Sequence, residues 1–118
     1  MERYSVAIIG AGVSGASVAE RLSRYDLSVA LVEKETDVSF GTSKANSGII
    51  HGGFHHDSRY LKARLEVRGA EMYPHLHREL GFPYKQCGIV VAAFTPEELT
   101  IVNHLYRTGV TNGAAGIE

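Results

Sequence analysis

The sequence predicts an α/β fold built on a parallel βαβ unit, and three observations predict it. Ser5-Val6-Ala7-Ile8-Ile9 is a short, almost wholly apolar run of the kind buried as a central parallel strand covered on both faces. Gly10-Ala11-Gly12-Val13-Ser14-Gly15 follows at once, and a helix-favouring stretch with Ala16, Val18, Ala19 and Leu22 comes after it. Leu27-Ser28-Val29-Ala30-Leu31-Val32 is then a second apolar run, closed by Glu33.

Each part of this unit has a physical reason. The glycine spacing is that of the dinucleotide-binding turn of a Rossmann-like fold: Gly10 permits the tight turn, Gly12 lets backbone approach a pyrophosphate, and Gly15 lets the helix sit close to the sheet. The helix start offers free N–H groups and a partial positive charge to phosphates. Ala19 and Leu22 are spaced to face the sheet. Glu33 stands close to the position at which an acid takes the ribose hydroxyls of an adenosine, and its charge disfavours a 2′-phosphate. The bland alternative is a glycine-rich turn of some other α/β protein, with Glu33 merely solvated.

Composition bounds the rest. The 118 residues, 44% of them hydrophobic with a formal charge of −1, describe one small domain of ordinary globular material. Twelve basic and thirteen acidic residues without long runs of one sign exclude the electrostatic footprint of a nucleic-acid or anionic-membrane binder. Cys87 is the single cysteine, so no internal disulfide forms and a reducing, cytoplasmic setting is expected. Glu2 and Arg3 lead directly into the first strand, and glycines break its apolar stretch, so neither a signal peptide nor a membrane span is expected. Only one clear βαβ unit is present where such folds use several more strands, so an incomplete domain is expected.

After Glu33 comes a polar loop, Lys34 to Val38, and then Phe40-Gly41-Thr42-Ser43-Lys44-Ala45-Asn46-Ser47-Gly48-Ile49-Ile50-His51-Gly52-Gly53. Thr42, Ser43, Asn46 and Ser47 supply short donors, Lys44 a cation, and the glycines close backbone approach, a set suited to a second contact surface on an extended phosphate-bearing cofactor. A polar surface loop is the alternative. His55, His56 and Asp57 cluster with His51, yet no second ligand group with recognised spacing follows, so no metal site is expected. His75 and His77, two apart on a helix, point to different faces.

Ser58 is expected to cap a helix running to about Leu80, packed through Leu61, Leu65, Gly69, Met72, Leu76 and Leu80. Pro74 is expected to kink or split it. Arg59, Lys62, Arg64 and Arg68 read as a solvated face more readily than as anion contacts. Gly81-Phe82-Pro83 stops the helix, and Tyr84 to Phe94 reads as a strand with Cys87 as a small buried hydrophobe. Thr95-Pro96-Glu97-Glu98 opens a last helix to about Thr108, burying Leu99, Val102 and Leu105 before Gly109.

From Ser5 to Gly53 the residues resemble the start of flavoproteins of the glycine oxidase and D-amino-acid oxidase superfamily. The Gly41–Gly53 stretch is most similar to FAD-dependent glycerol-3-phosphate dehydrogenases and next to L-2-hydroxyglutarate oxidases. Tyr60–Leu65, Phe82–Lys85 and Gly88–Ala92 carry the similarity onward, covering nearly the whole chain but only the amino-terminal third or so of such an enzyme. The resemblance implies FAD as cofactor, with Gly10, Gly12 and Gly15 at its pyrophosphate, Glu33 at the adenosine ribose, Lys34 also among the cofactor-binding residues, Thr42 and Ser43 along the pyrophosphate, and Asn46, Ser47, Gly48 and Ile49 passing beside the flavin. His51 matches a histidine near the ring in several relatives, and in other branches a histidine of this region is joined covalently to the flavin. Such a histidine stabilises charge on the ring or bonds substrate; a histidine satisfied by backbone groups is the alternative.

The resemblance further implies an FAD-binding segment over residues 1–83, the start of a substrate-binding domain over 84–118, and hydride transfer from a secondary alcohol to flavin. The expected substrate is a small phosphorylated or carboxylated hydroxy compound, sn-glycerol 3-phosphate first and an L-2-hydroxyacid second, with the base for the hydroxyl proton lying outside this chain. Residues do not identify the electron acceptor or any membrane partner. A nicotinamide-dependent dehydrogenase shares the first fingerprint without calling for Thr42 to Gly53, and a non-catalytic fragment is the remaining alternative. The 118 residues alone are expected to fold and to hold FAD poorly.

Overall fold

The computed structural model describes residues 2–118, which form two compact units, 1–49 and 50–118. The first holds strand β1 (Val6–Ile9), helix α1 (Val13–Leu22) and strand β2 (Val29–Val32). The second holds helices α2 (Leu61–Leu80) and α3 (Pro96–Asn112).

In the first unit β1 and β2 pair in parallel, Val6 opposite Val29 through Ile9 opposite Val32, as a strand-helix-strand crossover requires. Ser5 and Ser28 extend the pairing below the ladder, Ser5 N–H donating to the Ser28 carbonyl at 2.9 Å. Helix α1 covers one face: Ile8 is buried and Val6, Ala19 and Leu22 are half-buried. The expectation of a strand covered on both faces is corrected here, because Ala7 is exposed and Ile9 is 90% exposed. Period-2 alternation puts these two on the opposite side of the sheet, where this unit has no helix.

In the second unit α2 begins at Leu61 with Tyr60 as its N-cap, not at Ser58, and no side chain caps it. Asp57 takes the local N–H donors instead, its Oδ1 accepting from Arg59 N–H at 2.9 Å, so the residues before Tyr60 form a turn. The packed stripe also differs from the expected one. Gly69 and Leu76 are half-buried as expected, but Leu61, Leu65, Met72 and Leu80 are exposed, whereas Ala63 is buried and Glu66, Val67, Ala70, Tyr73, Pro74 and His77 are half-buried. Both stripes have helical spacing, and the smaller, more polar one lies inside. A Cβ at Gly69 would meet nothing within 4 Å, so no neighbouring backbone explains that glycine.

Pro74 lies within a continuous α2 and neither splits nor ends it. The helix stops at Gly81, whose N–H reaches the His77 carbonyl at 2.9 Å. The chain then folds back on the last turns: Phe82 and Tyr84 lie 6.0 and 6.2 Å from the Tyr73 ring, and His77 Nδ1 bonds the Phe82 carbonyl. Tyr84 to Phe94 forms no strand, and Cys87, Val90 and Phe94 are exposed in it. Its β propensity is real, but a strand exists only when a second strand takes its N–H and C=O groups, and no strand pairs with it among the described residues.

Helix α3 begins as expected. Thr95 Oγ1 accepts from Glu98 N–H at 3.2 Å, and Glu98 reaches back to Phe94 N–H at 2.8 Å. It ends later than expected, at Asn112, with Gly113 as C-cap. Gly109 is inside the helix and buried, since a Cβ there would fall 2.0 Å from Ile117 Cδ1. Val102 and Leu105 are half-buried as expected, and Leu99 is exposed. Among the described residues no helix is long and apolar enough to cross a membrane.

Candidate functional site

The turn between β1 and α1 is shaped by the absence of side chains. Gly10 has φ +98°, a region that L side chains rarely adopt, and its N–H bonds the Val32 carbonyl at 2.7 Å, fastening the turn to the end of β2. A Cβ at Gly15 would fall 1.8 Å from the Gly10 carbonyl oxygen, so only glycine lets the helix close down on the turn. The tightest approach at Gly15 is therefore to the turn itself, with the strand residue Ile8 Cγ2 second at 3.4 Å.

Gly12 is the N-cap of α1 and has no side chain to cap it. Ser43 supplies the missing acceptor, its Oγ taking the Val13 N–H at 2.8 Å, and a Cβ at Gly12 would crowd that oxygen at 3.1 Å. The two stretches singled out in the sequence thus meet at the helix mouth. The first α-helical bond of this turn is Ala16 N–H to the Gly12 carbonyl. The N–H groups of Gly12, Ser14 and Gly15 therefore have no acceptor within the helix and sit where the helix dipole is positive.

Glu33 stands beside the same loop. Its Oε2 accepts the Ala11 N–H at 2.7 Å, and its Oε1 accepts the N–H groups of Lys34 at 2.8 Å and Glu35 at 3.1 Å. These bonds, the one from Ala11 foremost and that from Glu35 next, hold its carboxyl below the usual carboxylate range against some desolvation, with Lys34 adding its N–H and its charge. A carboxylate has about four lone-pair sites, so three N–H donors leave room for a hydroxyl.

The other sequence-selected residues are less engaged. Lys34 Nζ is in solvent, 3.5 Å from Glu35, and the Thr42, Ser47 and Ile49 side chains are exposed. Asn46 is spent on its own loop, donating to the Ser43 carbonyl and accepting from Gly48 N–H at 2.8 Å. Lys44 lies over the Phe40 ring at 4.1 Å. His51 belongs to the second unit, where it and His56 flank Glu66 at 3.6 and 3.5 Å. No group of His, Cys, Asp or Glu among the described residues is arranged to hold a metal ion.

Three contributors escaped the sequence reading. Ser39, at φ +63°, ties the loop after β2 to the turn through its N–H to the Ala11 carbonyl at 3.0 Å. Glu66 and Asn112 occupy inward positions of α2 and α3. A polar residue in register with small apolar ones, as Glu66 is with Ala63, Val67 and Ala70, was the available signal.

The residues present fit a nucleotide diphosphate. A turn that excludes Cβ atoms, a helix mouth with donors and no acidic residue in its first turn, and an ordered carboxylate alongside are what phosphates and a ribose require. The family described as DAO, FAD dependent oxidoreductase, matches residues 5–117. Glycerol 3-phosphate dehydrogenase of Caloramator mitchellensis is 48% identical over 110 residues, 93% of this chain and 23% of the relative. Mitochondrial L-2-hydroxyglutarate dehydrogenase of Nematostella vectensis is 37% identical over 114 residues, 95% of this chain and 25% of the relative. A solved structure of dithionite-reduced L-alpha-glycerophosphate oxidase from Mycoplasma pneumoniae with FAD bound superposes with TM-score 0.85 at 34% identity, covering 95% of this chain and 29% of that one. The chain spans about a quarter of the length of the curated relatives it matches. With the glycine turn, its acid and a match running almost from end to end, the chain belongs to the DAO family of FAD-dependent oxidoreductases.

Proposed function

We propose that this chain supplies the adenosine-diphosphate side of an FAD site in an enzyme that oxidises sn-glycerol 3-phosphate to dihydroxyacetone phosphate. The observation that carries the cofactor half is the Gly10–Gly15 turn with the Glu33 carboxylate on the Ala11 N–H at 2.7 Å. The substrate half rests on the 48% identity to a glycerol 3-phosphate dehydrogenase. Residues 1–83 serve the cofactor, and residues 84–118 begin a substrate-binding portion.

The chemistry that bound FAD would supply is that of a hydride acceptor. The chain's own residues bind and orient. The N–H groups of Gly12, Ser14 and Gly15 hold phosphate oxygens, Glu33 accepts from the ribose hydroxyls, and Lys34 lends its charge at the adenosine end. Thr42 and Ser43 bond along the pyrophosphate, and Asn46, Ser47, Gly48 and Ile49 line the cofactor further on. His51 bonds the substrate hydroxyl or steadies negative charge. A second reading, oxidation of an L-2-hydroxyacid, is favoured by the 37% identity to L-2-hydroxyglutarate dehydrogenase.

The native protein, assayed with a dye as electron acceptor, decides between them. Reduction of the dye by sn-glycerol 3-phosphate but not by L-2-hydroxyglutarate supports the first reading. The reverse selectivity replaces it with the second, and dye reduction by neither overturns both.

A further inference from the structure

In the second unit a carboxylate is set between two imidazoles. Glu66 Oε1 lies 3.6 Å from His51 Nδ1 and 3.5 Å from His56 Nε2, while the Glu66 side chain is only 11% exposed. Its Oε2 is buried and has no hydrogen-bond partner. A polar group withdrawn from water needs polar partners, and the imidazole nitrogens of His51 and His56 are the ones facing its Oε1.

The arrangement is held from several directions. Asn112 Nδ2 donates to the carbonyls of Gly53 and His56, both at 2.7 Å, which pins the backbone on either side of His55. His55 stacks on Phe54 at 4.2 Å and stands 5.4 Å from the His51 ring. Glu66 itself projects from α2, a rigid element, whereas His51 is 52% exposed on a loop. The anchored partner of the pair is therefore the acid.

We propose that Glu66 is the positioning residue of His51, holding the ring proton on Nδ1 so that Nε2 is left bare to accept a hydrogen bond from the substrate hydroxyl. This rests on the reading of His51 as a substrate contact. The physical basis is that a carboxylate stabilises the proton on the nitrogen nearest it, and the tautomer of an imidazole is set by what its other nitrogen faces. Without Glu66 the proton distributes over both nitrogens, and His51 spends part of its time as a donor at Nε2. His56 presents Nε2 to the same oxygen.

The test compares the native holoenzyme with Glu66→Leu, which fills the space without an acceptor, and Glu66→Gln, which keeps one. Nitrogen-15 NMR of the His51 ring gives the proton position, and steady-state kinetics with sn-glycerol 3-phosphate give its consequence. The wild type is expected to carry the proton on Nδ1. Glu66→Leu is expected to mix the tautomers and lower kcat about tenfold or more, with KM within about twofold and FAD per chain unchanged, while Glu66→Gln loses less than about threefold. A wild-type proton on Nε2, or a ring pattern identical in wild type and Glu66→Leu, overturns the assignment. Should Glu66→Leu fail to fold, the wild-type ring pattern alone decides. A protein without flavin, or inactive on every alcohol, would sink the proposed function while leaving the proton position readable.

Discussion

In the 1–49 unit the contacts that shape the glycine turn end on backbone: Gly10 N–H on Val32, Ser39 N–H on Ala11, and the Glu33 and Ser43 side-chain oxygens on the Ala11 and Val13 N–H groups. In the 50–118 unit contacts between side chains join those to backbone, Glu66 facing His51 and His56, and Tyr73 facing Phe82 and Tyr84, beside Asn112 on the Gly53 and His56 carbonyls. The first kind of site fails when a Cβ is added and is indifferent to many side-chain changes. The second kind survives small backbone adjustments and fails on isosteric loss of one functional atom.

The change that strikes the backbone-built site hardest is Gly15→Ala. With the Gly10 oxygen 1.8 Å from the new carbon, α1 must lift off the turn, and a loss of about 3 kcal/mol is expected in urea unfolding, together with bound flavin absorbance near background. Next is Glu33→Gln, which keeps the shape but replaces charge-assisted acceptors with a neutral amide. Flavin affinity is expected to weaken about tenfold, as read by fluorescence titration of the stripped protein.

Glu33 also gives a pH signature. Its folded carboxyl titrates below the unfolded value, so its stabilising contribution is complete above about pH 4.3 and is lost as pH falls through the folded value. Unfolding midpoints from pH 3 to 6 should fall more steeply in acid for the wild type than for Glu33→Gln. Equal slopes would mean that the carboxylate does not hold its N–H partners in solution.

Smaller effects sharpen the contrast. Ser43→Ala removes the acceptor of the Val13 N–H and is expected to cost about 1 kcal/mol in thermal unfolding. Gly69→Ala, in open space on α2, is expected to raise stability by about 1 kcal/mol, the opposite sign to Gly15→Ala for the same added methyl group. A loss at Gly69 would show that the α2 face is covered in the native protein.

The same division explains what could be read from the residues alone. The strand-turn-helix-strand unit, the role of each turn glycine and the place of Glu33 were legible because local spacing dictates backbone geometry. The packed stripe of α2 was not, since Leu61, Leu65 and Met72 form as regular a helical pattern as Ala63, Val67 and Ala70, and only tertiary contact chooses between them. The strand expected from Tyr84 to Phe94 failed for a related reason: propensity describes one chain segment, and a ladder needs two. Pro74 stayed within α2 although it removes the donor to the Ala70 carbonyl, a local cost that the half-buried helix tolerates. Glu66 and Asn112 were invisible because their partners lie 10 to 59 residues away along the chain.

The central claim, that a nucleotide diphosphate rests on the turn from Gly10 to Gly15, is tested most directly by releasing the native protein's chromophore and treating it with phosphodiesterase. The account predicts a yellow protein with close to one flavin per chain, released as FAD and split by the enzyme into FMN and AMP. A colourless protein, or one whose flavin is FMN from the start, would contradict it.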